Sequence, residues 1–244
     1  MIEATEDSVL LSKIKKHGYW TIIIRPNRFD NEKIQTLNDC LKFVKESKVS
    51  LRVWDYPHID ANNRPYANNR PLDYVQQTID WDLHRELWRM YQSGQFVHLF
   101  ACHEDLLLNQ INLGPGPAKI TPLPGTVLSV LSTLYSMTEI YEFASRLAAK
   151  NIFNRDLSLE ISLNGMKNRK LVFFEPGRTR LGNYVCSSNE LTRMKSIPVS
   201  DLLAIRSSEL ALEHTLWVFE HFNWKPSPLD ILREEQKKFI ERRI

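Results

Sequence analysis

Three short stretches hold most of the residues whose types could do chemistry. "RVWDYPHID" offers Arg52, Trp54, Asp55, His58 and Asp60. "WDLHRELWRMYQSGQFVH" adds Trp81, Asp82, His84, Glu86, Trp88, Arg89, Tyr91, Gln92 and His98, and "CHED" adds His103, Glu104 and Asp105. Imidazoles and carboxylates placed just past strand ends can line a ligand crevice. That reading is a metal-dependent hydrolase or nuclease with a His/Asp crevice walled by Asp55, His58, Trp88, His98 and His103. The spacing does not name a metal: there is no H-x-H or H-E-x-x-H, and we assign neither metal nor cofactor. The competing reading is structural. Trp54, Trp81 and Trp88 then belong to the core. Asp82, Arg85, Glu86 and Arg89, three and four apart with alternating sign, form the water-facing side of a helix.

Cationic chemistry gathers elsewhere. Residues 1–112 hold 14 Lys/Arg and 15 Asp/Glu, net −1, and the rest hold 18 and 14, net +4. Within 165–195, Lys167, Arg169, Lys170, Arg178, Arg180, Arg193 and Lys195 face only Glu175 and Glu190, net +5. Pro176-Gly177 suits a tight turn, which would set Arg178 and Arg180 on a projecting hairpin. Basic β-ribbons contact phosphate backbones. The primary expectation is therefore a non-catalytic binding or regulatory subunit that engages nucleic acid or an acidic protein partner. Arg64 and Arg70 lie in a doubled "ANNRP" at 61–65 and 67–71. An arginine-bearing loop could meet phosphate, but a duplicated spacer in a tolerant loop is favoured.

Other motifs point to packing. Glu213-His214 with Trp217 recurs as Glu220-His221 with Trp224. Histidines seven apart on a helix are separated by about 10 Å of rise, too far to share one metal. A purely structural assembly component, docking through this helix as a homo-oligomer or on a protein partner, is the third reading. No G-x-S-x-G elbow occurs, and Cys102 and His103 as strand neighbours would point to opposite faces.

The elements that must position these residues follow from periodicity. "YWTIIIRP", "VSLRVWDY", "LDYVQQTIDW" and "QFVHLFACH" read as strands, and the segments 29–47 and 82–94 as helices. The expectation is an α+β (or α/β) chain with a mixed β-sheet and two N-terminal β-α-β passes. A long central helix from Thr126, a hairpin turning at Asn164-Gly165 and a C-terminal helical pair follow. The Gly/Pro-rich 112–125 suggests lobes at 1–113 and 125–244, or one continuous domain. In element order alone, the β-α-β start followed by a basic hairpin resembles Alba-like nucleic-acid-binding folds, without a shared motif.

Three unpaired cysteines, Cys40, Cys102 and Cys186, imply free thiols in a reducing compartment. No run approaches the ~20 apolar residues of a membrane span. We expect a cytoplasmic protein with no membrane partner. A hydrophobic share of 43% over 244 residues is enough for a substantial core.

Overall fold

The computed structural model describes residues 6–52, 54–59, 73–107, 123–174, 181–227 and 229–242. Eight strands run β1 (Tyr19–Pro26), β2 (Tyr74–Trp81), β3 (His84–Tyr91), β4 (Phe96–Ala101), β5 (Val127–Ser129), β6 (Asp156–Asn164), β7 (Lys170–Val172) and β8 (Glu190–Pro198). The helices are α1 (Glu6–Lys15), α2 (Leu37–Ser47), α3 (His103–Leu106), α4 (Val130–Ala148), α5 (Val199–Asp201), α6 (Ser207–Glu220) and α7 (Asp230–Ile240). A π-helical turn, Leu202–Arg206, joins α5 to α6. The fold is α+β.

Six strands form one sheet in the order β2-β3-β4-β1-β6-β8. Every pairing in it is antiparallel. Strand β1 lies between β4 and β6, so the two expected lobes contribute to the same sheet. The helix α4 packs on one face, where Trp20, Ile22, Ile24, Trp88, Met90 and Phe96 meet Leu134, Met137, Ile140 and Phe143. Helix α1 covers part of the other face through Leu10 and Ile14 against Leu87 and Ala101. Fourteen of the 19 residues of α4 are buried, which is why its sequence is apolar nearly all round. No helix among the described residues is long and apolar enough to cross a membrane.

The two β-α-β passes do not occur. In place of the second helix, residues 84–91 form β3, joined to β2 by a tight turn at Asp82-Leu83. The charge spacing that suggested a helix also satisfies a strand. Alternation puts Glu86, Trp88 and Met90 on the α4 side, and Arg85, Leu87 and Arg89 on the other. The stretch Val49–Tyr56 makes only an isolated bridge between its two ends. Helix α2 starts later than expected, with Thr36 as its cap: Thr36 Oγ1 accepts the Asp39 N–H at 3.1 Å. The Alba-like element order therefore goes with the missing crossovers.

The hairpin expected to turn at Asn164-Gly165 does not pair on itself, and the Pro176-Gly177 turn with Arg178 and Arg180 lies outside the described residues. Strand β6 turns at Gly165 but pairs with β1 and β8, while β7 pairs in parallel with β5 in a small second sheet. Between them Arg169 plunges inward and is 1% exposed. Its Nη1 and Nη2 donate to Asp105 Oδ1 and Oδ2 at 2.8 and 2.5 Å, Nη1 also to Val127 O, and Nε to Gly165 O. Asp105 further accepts the N–H groups of Gly18 and Gly125 at 2.7 and 2.9 Å. One buried pair thus ties β1, α3, β5 and the β6–β7 turn together. Gly18 leaves room for it: a Cβ there would sit 2.2 Å from Arg169 Nη2. Gly18→Ala is expected to cost about 1–3 kcal/mol by overpacking, read as a lower urea midpoint with an unchanged slope. A midpoint equal to the parent's would contradict this account of Gly18.

Candidate functional site

The site forms where the sheet opens away from the first half of α4. Strands β3 and β4 supply Glu86, His84 and His98 on one face, because i and i+2 on a strand share a side. Glu86 lies at the centre. Its Oε2 accepts from His84 Nε2 at 2.8 Å and His98 Nε2 at 3.2 Å, and its Oε1 accepts the His58 backbone N–H at 2.9 Å. An ionised carboxylate only accepts, so both imidazoles present Nε2–H to it. His98 Nδ1 then accepts from Tyr56 Oη at 3.2 Å. His84 Nδ1 has no hydrogen-bond partner among the described residues and is left as an acceptor.

Electrostatics follow from this geometry. Burial alone would push the Glu86 carboxyl up, but the electrostatic pull of the neighbouring His98 and the hydrogen bonds from both imidazoles hold it down at about 2. Burial pushes the Tyr56 phenol well up, with Glu86 and Glu139 adding to the effect. Burial likewise lowers His103, which keeps that ring neutral near pH 7.

Helix α4 supplies the opposing wall with Ser132, Ser136 and Glu139, four and three residues apart on one stripe. Arg52 reaches across from the loop after α2. Its Nη2 donates to Ser136 Oγ at 3.1 Å and lies 3.0 Å from Glu139 Oε2. The guanidinium also sits 6.0 and 5.7 Å from the rings of Tyr135 and Phe239, which stack at 4.2 Å. Glu139 is 4% exposed, and among the described residues neither its Oε1 nor Arg52 Nε has a hydrogen-bond partner. Burial pushes the Glu139 carboxyl up to about 7, with Arg52 opposing. Trp54 caps the opening, its ring 5.5 Å from His84 and 6.2 Å from His103.

The cleft has two parts, both open to solvent. An inner chamber of about 50 Å³ lies between Glu86, His98, Arg52 and Glu139. A neighbouring outer chamber of about 190 Å³ shares Arg52, His103, Glu104 and Ser132 with it. At roughly 10–15 Å³ per water, the inner part holds a few waters or one small polar group.

The residues expected from sequence divide clearly. Arg52, Trp54, Asp55, His98 and His103 line the inner chamber together. His58 acts through its backbone; its ring packs 4.8 Å from Trp81. Trp88 is fully buried beneath, and its Nε1–H donates to His58 O at 2.9 Å. Arg89 is on the opposite face, paired with Asp7 at 3.2 Å and 4.8 Å from the Tyr74 ring. Arg64, Arg70, Arg178 and Arg180 lie outside the described residues. Arg193 and Lys195 share Glu213 at 3.2 and 2.7 Å. Lys167 is exposed and Lys170 half-buried. Arg169 is a correction: it is an internal clamp and presents no charge to a polyanion.

Glu139 and Tyr56 were not singled out by spacing. The signal for Glu139 was available, as a carboxylate on the serine stripe of an otherwise apolar helix. The structural reading of the charge spacing puts Glu86 on a water-facing side, and its 2% exposure overturns that. Among the described residues, no group of three or more His, Cys, Asp or Glu is arranged to hold a metal ion. Compared with protein families, curated proteins and solved structures, the chain matches none.

Proposed function

We propose that this chain is an enzyme that performs general acid–base chemistry on a small polar ligand in the inner chamber. His84 is the base: Glu86 holds its Nε2–H, which leaves Nδ1 to take a proton. Glu139 is the acid, and Arg52 holds the negative charge that develops on oxygen. The observation that carries this reading is Glu139 Oε1, buried beside Arg52 with no hydrogen-bond partner among the described residues. Buried polar atoms are nearly always paired, and exceptions mark a function or a bound group. Two titratable groups pushed apart by their surroundings, Glu86 downward and Glu139 upward, also fit a division into orienter and acid.

The test is a carboxyl-carbon NMR titration of wild type and Glu139→Gln. One glutamate signal is expected to titrate near pH 7 and to vanish in the variant. A Glu139 signal titrating at its ordinary 4.5 sinks the assignment. The same group has a stability signature. Its folded value lies above its unfolded value, so the native state holds the proton more tightly. Stability from this group is full below about 4.5 and is lost as pH rises to about 7. The loss is on the order of 3 kcal/mol at 1.36 kcal/mol per unit. Glu139→Gln is expected to remove that slope and to be the more stable protein at alkaline pH, measured by urea unfolding across the range.

A further inference from the structure

The acid–base reading leaves the ligand's chemistry open, and the two chambers constrain it. The floor of the outer chamber is the first turn of the 19-residue α4, contributed by Ser129, Leu131 and Ser132. Ser129 Oγ accepts the Ser132 N–H at 3.1 Å, and Ser129 N–H donates to Glu104 Oε1 at 2.9 Å. The parallel β5–β7 pairing at Ser129 and Val172 engages the Val130 N–H, so this turn offers its dipole and not a row of free donors. Such a turn carries partial positive charge aimed outward. Arg52 stands beside it with donors to spare: Nη2 is engaged, while Nε and Nη1 have no partner among the described residues. This end of the cavity asks for an anion.

The inner end asks for something different. Glu139, 4% exposed, keeps Oε1 unpartnered and lines the chamber. A buried acceptor is satisfied by a hydrogen-bond donor. Arg52 borders both chambers, so the two demands lie within one small molecule's reach.

We propose that the paired chambers bind a small organic acid that carries a hydroxyl or amino group close to its anionic group. The anion sits on Arg52 beside the first turn of α4, and the hydroxyl or amine donates to Oε1 of the ionised Glu139, the form left once the acid has given up its proton. This inference rests on the acid–base reading for what happens next, but binding alone tests it. The inner volume limits the donor-bearing part to a group of a few heavy atoms. Burial raises the Glu104 carboxyl above its ordinary value, which lowers its opposition to an anion on Arg52.

The experiment is an NMR titration of the full chain, following the indole N–H signals of Trp54 and Trp20. The probes are acetate, glycolate, glycine and ethylene glycol. Glycolate or glycine is expected to shift both signals saturably, at least about tenfold more tightly than acetate or ethylene glycol. Glu139→Leu is expected to bring glycolate and glycine down to acetate, and Arg52→Met to weaken all anionic probes by about tenfold or more. No saturable shift up to about 50 mM, equal binding of acetate and the donor-bearing acids, or an Arg52→Met that binds as wild type each overturns the proposal. If Arg52→Met does not fold, the probe series on wild type and Glu139→Leu decides alone. Selective binding with Glu139 titrating at its ordinary value removes the acid–base reading and leaves this one standing; the reverse result does the opposite.

Discussion

Arg169→Met is expected to lose about 3–5 kcal/mol of unfolding free energy, enough to bring a typical domain close to its threshold. The argument is one of asymmetry. The present pair is fully satisfied: both Asp105 oxygens, the Val127 and Gly165 carbonyls and the Gly18 and Gly125 N–H groups all share in it. Removing the guanidinium strands an Asp105 carboxylate that is 4% exposed, together with two carbonyls. Arg169→Lys is expected to recover only part of the loss, since an ammonium cannot make the two-pronged contact. Burial pushes the Asp105 carboxyl up, and the Arg169 bond more than reverses it, leaving the group below its ordinary 3.8. The sign is that of a depressed acid. The stability it supplies is complete above the unfolded value and is lost as pH falls through the folded one. Urea unfolding of the three proteins at neutral pH checks the ranking. An Arg169→Met as stable as the parent would mean that the buried pair contributes nothing net and that hydrophobic replacement suffices.

Arg169 also shows where sequence reading reached its limit. Its neighbours Lys167 and Lys170 are cationic, and a run of charge normally reads as a solvated face. Nothing local signals that one member meets Asp105, 64 residues away. Strand β1, the helix α4 and the C-terminal pair α6 and α7 were legible because their apolar patterns and flanking breaks are local. Strand β3 was not. "DLHRELWRM" satisfies both a helical charge pattern and a two-residue alternation, and only pairing with β2 and β4 decides between them. The site was half legible for the same reason. Arg52, Trp54, Asp55, His98 and His103 could be grouped by residue type, and the chamber does bring them together. The roles within it depend on Glu86 turning inward and on Glu139 arriving from α4, which are facts of the sheet and of helix packing.

Glu86→Ala carries the second large effect. It removes the acceptor of three donors at once: the His58 N–H and the two imidazole Nε2–H groups. Each buried donor left without a partner costs about 1–3 kcal/mol, so a loss on the order of 3–5 kcal/mol is expected. The pH window follows from the same contacts. The folded Glu86 value of about 2 lies below its ordinary 4.5, so its contribution is complete above about 4.5 and is lost as pH falls towards 2. Two and a half units correspond to about 3 kcal/mol, and the carboxyl is fully enclosed, so solvent screening takes little from it. Glu139 runs the other way, losing stability as pH rises from about 4.5 to about 7. Wild type is therefore expected to be most stable near the value where these slopes meet, on the acid side of neutrality. Glu86→Ala should lose the acid limb and keep the alkaline one, and Glu139→Gln should do the reverse. Urea unfolding across the range separates them, and a Glu86→Ala protein that keeps the wild-type acid limb would remove Glu86 from the centre of the site. The two carboxylates are about as different as burial allows. One is saturated with donors and fixed as an anion. The other keeps an oxygen free beside a guanidinium, and it is that inequality which makes the chamber suited to moving a proton and not merely to holding the sheet against its helix.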